Sequence, residues 1–137
     1  MKLSDFVSNS GNMPESLVKA VIRQSGGWQS FKEIAGDVAR HGASAGFGGW
    51  IYHPETCEFA RENRKLIAEF CQSTAEDFGV GTLEMIQGFN CIGTDYSLDD
   101  IGRCLYGSGE EVTVLNGLAW FALEEVCRTY SDAVGEV

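Results

Sequence analysis

The segment "EEVTVLNGLAWFALEEVCRTYSD", residues 110–132, is apolar on almost every side from Val112 to Leu123 when wound at 3.6 residues per turn. A helix with no polar face cannot lie on a surface in water, so the rest of the chain must be built around it. Glu124 and Glu125 mark where it emerges. This predicts an all-α fold: one compact domain over residues 1–137, with five to seven helices around the apolar C-terminal helix. A chain of 137 residues is long enough to bury roughly two thirds of its unfolded surface, which such a core requires.

The helical period recurs upstream. In "MPESLVKAVIRQSGG" (residues 13–27), Leu17, Val18, Val21 and Ile22 fall on one face, Pro14 sits where a first turn tolerates a missing N–H, and Gly26-Gly27 stops the helix. In "WQSFKEIAGDVARHG", Trp28, Phe31, Ile34, Ala35 and Val38 repeat the pattern up to Gly42. A third helix is expected from Pro54 to Phe78, with Phe59, Leu66, Ile67, Phe70 and Phe78 near one side. On its solvent side, Glu58 and Glu62 precede Arg61, Arg64 and Lys65 in the favourable order for surface pairs. "TLEMIQGF" suits a two-turn helix. "YSLDDIGRCLYG" opens on Ser97 as N-cap, carries Asp99 and Asp100 in its first turn, and closes on Gly107.

The stretch "HGASAGFGGWIYHPETC", residues 41–57, holds four glycines and both histidines of the chain. Its glycines fit neither G-x-G-x-x-G nor G-x-x-x-x-G-K-[ST], and it joins two helices where those motifs follow a strand. The expected role is a joint, with glycines allowing positive φ and close backbone approach while Phe47, Trp50 and Tyr52 anchor it. His53 and Glu55 have the H-x-E spacing of zinc deaminases, but the matching P-C-x-x-C is absent. His53 and Cys57, four apart, suit two zinc ligands, with His41 or Cys91 as a third; the spacing does not require it. No serine has a G-x-S-x-G context. A small zinc- or Cys/His-dependent hydrolase around His53, Glu55 and Cys57 is therefore the rival to a non-enzymatic protein, and no cofactor or metal is expected.

Five cysteines without a C-x-x-C pair read as small buried residues of a reducing compartment. No run approaches the ~20 apolar residues of a membrane span, and Asp5 interrupts the place where a signal peptide needs an apolar core. A cytoplasmic location is expected. The outline of a helix-turn-helix over residues 96–126 lacks the basic side chains a DNA-reading helix needs.

Net charge is −10 and unevenly placed. Residues 1–68 hold eight Lys/Arg and seven Asp/Glu, whereas residues 69–137 hold two basic and thirteen acidic residues. The scarcity of Lys and Arg in the second half argues against direct nucleic-acid binding by it. A solvated face that keeps the protein soluble is one explanation. The other is an anionic surface that occupies a basic, nucleic-acid-binding channel, closely set carboxylates standing in for phosphates. The residues expected on that surface are Glu76, Asp77, Glu84, Asp95, Asp99, Asp100, Glu110 and Glu111, with Tyr96 and Tyr106 as aromatic anchors.

The stretches "GFGGWIYHPETCEFARENRKLIAEF", "FNCIGTDYSLDDIGRCLYG" and "NGLAWFALEEVCR" together resemble a family of small acidic proteins carried by phages, plasmids and other mobile elements of proteobacteria. The resemblance spans about Met13 to Arg128. It implies an anti-defence activity, as an anti-CRISPR protein or as an anti-restriction protein acting on a restriction-modification enzyme. The Gly-Gly-aromatic stretch is also similar to one in plasmid anti-restriction proteins. The resemblance brings no catalytic residues with it. The partner so implied is a host defence complex, met by a monomer or a homodimer, with no membrane and no direct nucleic-acid contact.

Overall fold

The computed structural model describes residues 1–11, 13–47, 54–88, 96–107 and 112–135, with the backbone alone for Val112 and Thr113. Among the described residues every regular element is helical: α1 (Leu3–Ser8), α2 (Glu15–Gln24), α3 (Trp28–His41), α4 (Ser44–Phe47), α5 (Pro54–Glu62), α6 (Arg64–Phe78), α7 (Thr82–Gln87), α8 (Leu98–Tyr106) and α9 (Val112–Ala133). The protein is all-α, as the apolar periodicity requires. The helices fall into two compact units, one of residues 1–50 with 120–137, the other of residues 51–119, so the division lies within α9.

In the first unit, α2 buries Leu17, Val18, Val21 and Ile22, the face the 3.6-residue period marks. Its end is set by Ser25 and by Gly26 and Gly27, whose φ values of 104° and 116° suit glycine alone. On α3, Phe31, Ala35 and Val38 are buried and Trp28 and Ile34 half-buried. Phe6 of α1, Trp28 and Phe31 of α3 and Tyr130 of α9 form one aromatic cluster. Phe6 lies 6.0 Å from Trp28 and 5.8 Å from Phe31, stacked on both, while Tyr130 meets Phe6 edge-on at 5.4 Å. The joint after α3 behaves as expected where it is described. Gly42 has φ 94°, and a Cβ on Gly46 would come within 2.6 Å of Val38 Cγ2 and 2.8 Å of Ile34 Cδ1. Gly46 thus lets α4 lie directly on α3. Trp50 and Tyr52 lie outside the described residues.

The second unit departs from expectation at one point. A single helix from Pro54 to Phe78 is expected, but Asn63 (φ −112°, ψ 18°) divides it into α5 and α6. The Asn63 Nδ2 donates to the Phe59 carbonyl at 2.9 Å, sharing it with the Asn63 backbone N–H at 3.0 Å. Two short helices, α1 and α4, also carry too few residues for a period to show. These three differences take the number of helices above the expected five to seven. Ser97 caps α8 as anticipated, accepting from the Asp100 N–H at 3.1 Å, and Gly107 closes that helix. Along α9, Val114, Leu115, Asn116, Leu118 and Ala119 are all buried, as a helix without a polar face demands.

Candidate functional site

The charge skew seen along the sequence becomes a skew between the two units. Residues 51–119 contain twelve Asp/Glu and four Lys/Arg, a balance of −8, while the other unit stands at −2. Within the second unit α6, α7 and α8 pack pairwise against one another. These three helices carry the described members of the expected acidic surface.

Glu76 and Asp77 are exposed in the last turn of α6. Glu84 is exposed in the first turn of α7, its carboxylate turned back over Gly81. Asp99 is exposed in the first turn of α8, while Asp100 is half-buried and paired with Arg103 on the same helix. Tyr96 is half-buried, its carbonyl accepting from Gln87 Nε2 at 3.0 Å. Tyr106 is 52% exposed, and its hydroxyl accepts from Gln72 Nε2 at 2.9 Å. Asp95, Glu110 and Glu111 lie outside the described residues.

Carboxylates in the first turns of α7 and α8 favour those helices, because the N-terminal end carries the positive pole of the macrodipole. Helix α6 is charged the other way round. Arg64 and Lys65 occupy its first turn, and Glu76 and Asp77 its last, with no basic residue there. Both ends oppose the dipole, so these residues weaken the helix that carries them. At 1.5 Å rise per residue, Lys65 and Asp77 lie about 18 Å apart along the axis, roughly two Debye lengths at physiological salt. Arg64 and Lys65 are therefore too distant to act on the acidic end of their own helix. Arg64 instead donates to the carbonyl of Gly107 at the end of α8. It shares a groove of about 580 Å³ with Arg61, Lys65, Gln72 and Tyr106.

The acidic end of α6 has an apolar companion that periodicity misplaces. Phe78 shares its azimuth with Ile67, yet it is 72% exposed, and Val80 is 50% exposed. The helix simply outruns the core. Gly79, with φ 69°, is the left-handed residue of a Schellman stop: its N–H bonds the Glu76 carbonyl at 3.1 Å, and that of Val80 bonds the Ala75 carbonyl at 3.1 Å. Phe78 is thus held outward on a fixed backbone beside two carboxylates. The sequence signal that finds it is Gly79, whose stop ends the helix just after the aromatic.

The elements of the rival enzymatic site are only partly placed. His53 and Cys91 lie outside the described residues, His41 is exposed at the end of α3, and Glu55 and Cys57 stand in the first turns of α5. Among the described residues no three His, Cys, Asp or Glu side chains gather closely enough to hold a metal ion. Burial pushes the Cys71 thiol up to about 12, and burial together with the nearby Glu124 does the same to Cys127, so both stay protonated and inert at neutral pH. No described helix is long and apolar enough to cross a membrane.

No match to the chain is found among curated proteins or among solved structures. A family model described as a domain of unknown function, DUF7222, matches residues 12–136, nearly the whole length, and the chain belongs to that family.

Proposed function

We propose that the protein is a non-enzymatic inhibitor of a host CRISPR effector complex, blocking nucleic-acid engagement with an acidic surface on α6, α7 and α8. The observation that carries this reading is the reversed charge of α6. Glu76 opposes the dipole of its own helix and stands far from that helix's basic first turn, so the helix gives no reason for it. A partner with a basic channel does. Phe78 supplies what charge alone lacks: carboxylates steer and orient, whereas a rigid aromatic burying its ring supplies residence time. Glu84 and Asp99 extend the same negative field onto α7 and α8.

The test is binding to purified CRISPR effector complexes, with restriction-modification enzymes as a parallel arm, across a salt series. Affinity for the effector should fall steeply with salt, and both Phe78→Ala and the pair Glu76→Lys with Asp99→Lys should weaken it at least tenfold. Binding that ignores salt, or that survives both changes, rejects the acidic-surface mechanism. Binding confined to the restriction enzymes moves the target from one defence system to the other.

A further inference from the structure

The most apolar stretch of the chain contains one amide. Asn116 of α9 is 0% exposed, and its Oδ1 is the only buried side-chain nitrogen or oxygen among the described residues with no hydrogen-bond partner. A buried acceptor left unpaired is costly, and an apolar side chain of the same shape would avoid the cost. The other end of the amide is engaged: Nδ2 donates to the Sγ of Cys57, 59 positions earlier, at 3.2 Å. Asn116 therefore presents a donor bound to sulfur and an idle acceptor beside it.

Cys57 differs from the other described cysteines. Cys71, Cys104 and Cys127 are buried, whereas Cys57 is half-buried. It stands early in α5, where the aligned backbone N–H groups favour negative charge. Glu55 and Glu58 are its near neighbours in the sequence. The Asn116 N–H is one donor that reaches this sulfur.

We propose that Cys57 is an oxidation site, at which a hydroperoxide converts the thiolate to a sulfenic acid retained by Asn116. The sulfur attacks the distal oxygen of hydrogen peroxide. An S–O bond forms, the O–O bond breaks, and the departing oxygen leaves as hydroxide, which is neutralised by the proton the thiol released to solvent when it ionised. Sulfur is oxidised by two electrons and the peroxide reduced by two. The product carries an S–O–H donor, the group that Asn116 Oδ1 lacks, while Nδ2 remains on the sulfur. Asn116 acts as a positioning residue for the oxidised state. This inference is independent of the acidic surface, and either stands without the other.

The full chain is exposed to graded hydrogen peroxide, trapped with dimedone, and the label located by peptide mass spectrometry. Label is expected on Cys57 at least tenfold above Cys71, Cys104 and Cys127, and Cys57→Ser should abolish it. Asn116→Leu should fold as stably as the parent or more so, yet shorten the sulfenic lifetime several-fold. Asn116→Gln, which keeps the amide, should restore part of it. Label spread evenly over the cysteines, or preferring Cys91, overturns the proposal without need of any variant. A lifetime unchanged in a folded Asn116→Leu protein removes the role of the amide.

Discussion

Glu124 of α9 accepts a hydrogen bond from the backbone N–H of Ala43, 81 positions earlier, through Oε1 at 3.0 Å. The same oxygen lies 3.2 Å from where a Cβ on Gly42 would stand, so the carboxylate closes over the turn that ends α3. Glu124→Ala leaves the Ala43 N–H without this acceptor and should lower unfolding free energy by roughly 1–3 kcal/mol. Glu124→Gln keeps an acceptor and should recover most of the loss, as read from urea midpoints.

The four-ring cluster of the first unit predicts a larger effect. Phe31 is fully buried and touches Phe6, Trp28 and Tyr130, the last two at centroid distances of 5.8 and 5.4 Å. Phe31→Ala should cost about 3–5 kcal/mol and lower the thermal midpoint accordingly. Phe31→Leu should cost far less.

Gly46 tests close approach without any conformational penalty for a side chain, since its φ is not positive. Gly46→Ala forces a methyl against Val38 and Ile34 and should destabilise by roughly 1–3 kcal/mol. Adding Ile34→Val should return part of that loss. A strictly additive double mutant would mean that the contact is relieved elsewhere.

Charge reversal on α6 separates stability from binding by sign. Glu76→Lys complements the dipole and should raise stability by a few tenths of a kcal/mol, while weakening attachment to a basic partner. Lys65→Glu, at the other end, should raise stability similarly and leave the partner unaffected. A Glu76→Lys protein that is both less stable and a weaker binder would assign Glu76 to the fold.

Alkaline conditions act through Cys71 and Cys127. Both thiols are raised from about 9 to about 12 in the folded protein, so the native state holds protons that the unfolded chain releases. Their contribution is intact below pH 9 and is lost as pH climbs from 9 towards 12, on the order of several kcal/mol for the pair. Denaturation midpoints measured across that range should descend more gently in a Cys71→Ala, Cys127→Ala protein than in the parent.

Local chemistry made α2, α3 and α8 readable: each has an apolar stripe and a stop or cap within its own residues, such as Ser97 at the start of α8. The α5–α6 break is hidden because Asn63 sits in a continuous helical pattern that neither a proline nor a glycine interrupts. The exposure of Phe78 is hidden for a different reason. A period fixes direction around a helix, but how far the core extends along the axis depends on what packs beneath. The Cys57–Asn116 contact joins residues 59 apart, and pairing at that range leaves no trace in spacing.

The first unit takes residues from both sides of the second, and Tyr130 completes an aromatic cluster that Phe6 begins. During translation the rings of Phe6, Trp28 and Phe31 therefore emerge long before their last partner. They must wait, wetted or shielded by a chaperone, until the ribosome has released the stretch beyond Tyr130. Folding of that unit therefore cannot finish before Tyr130 has emerged, however early its first helices form.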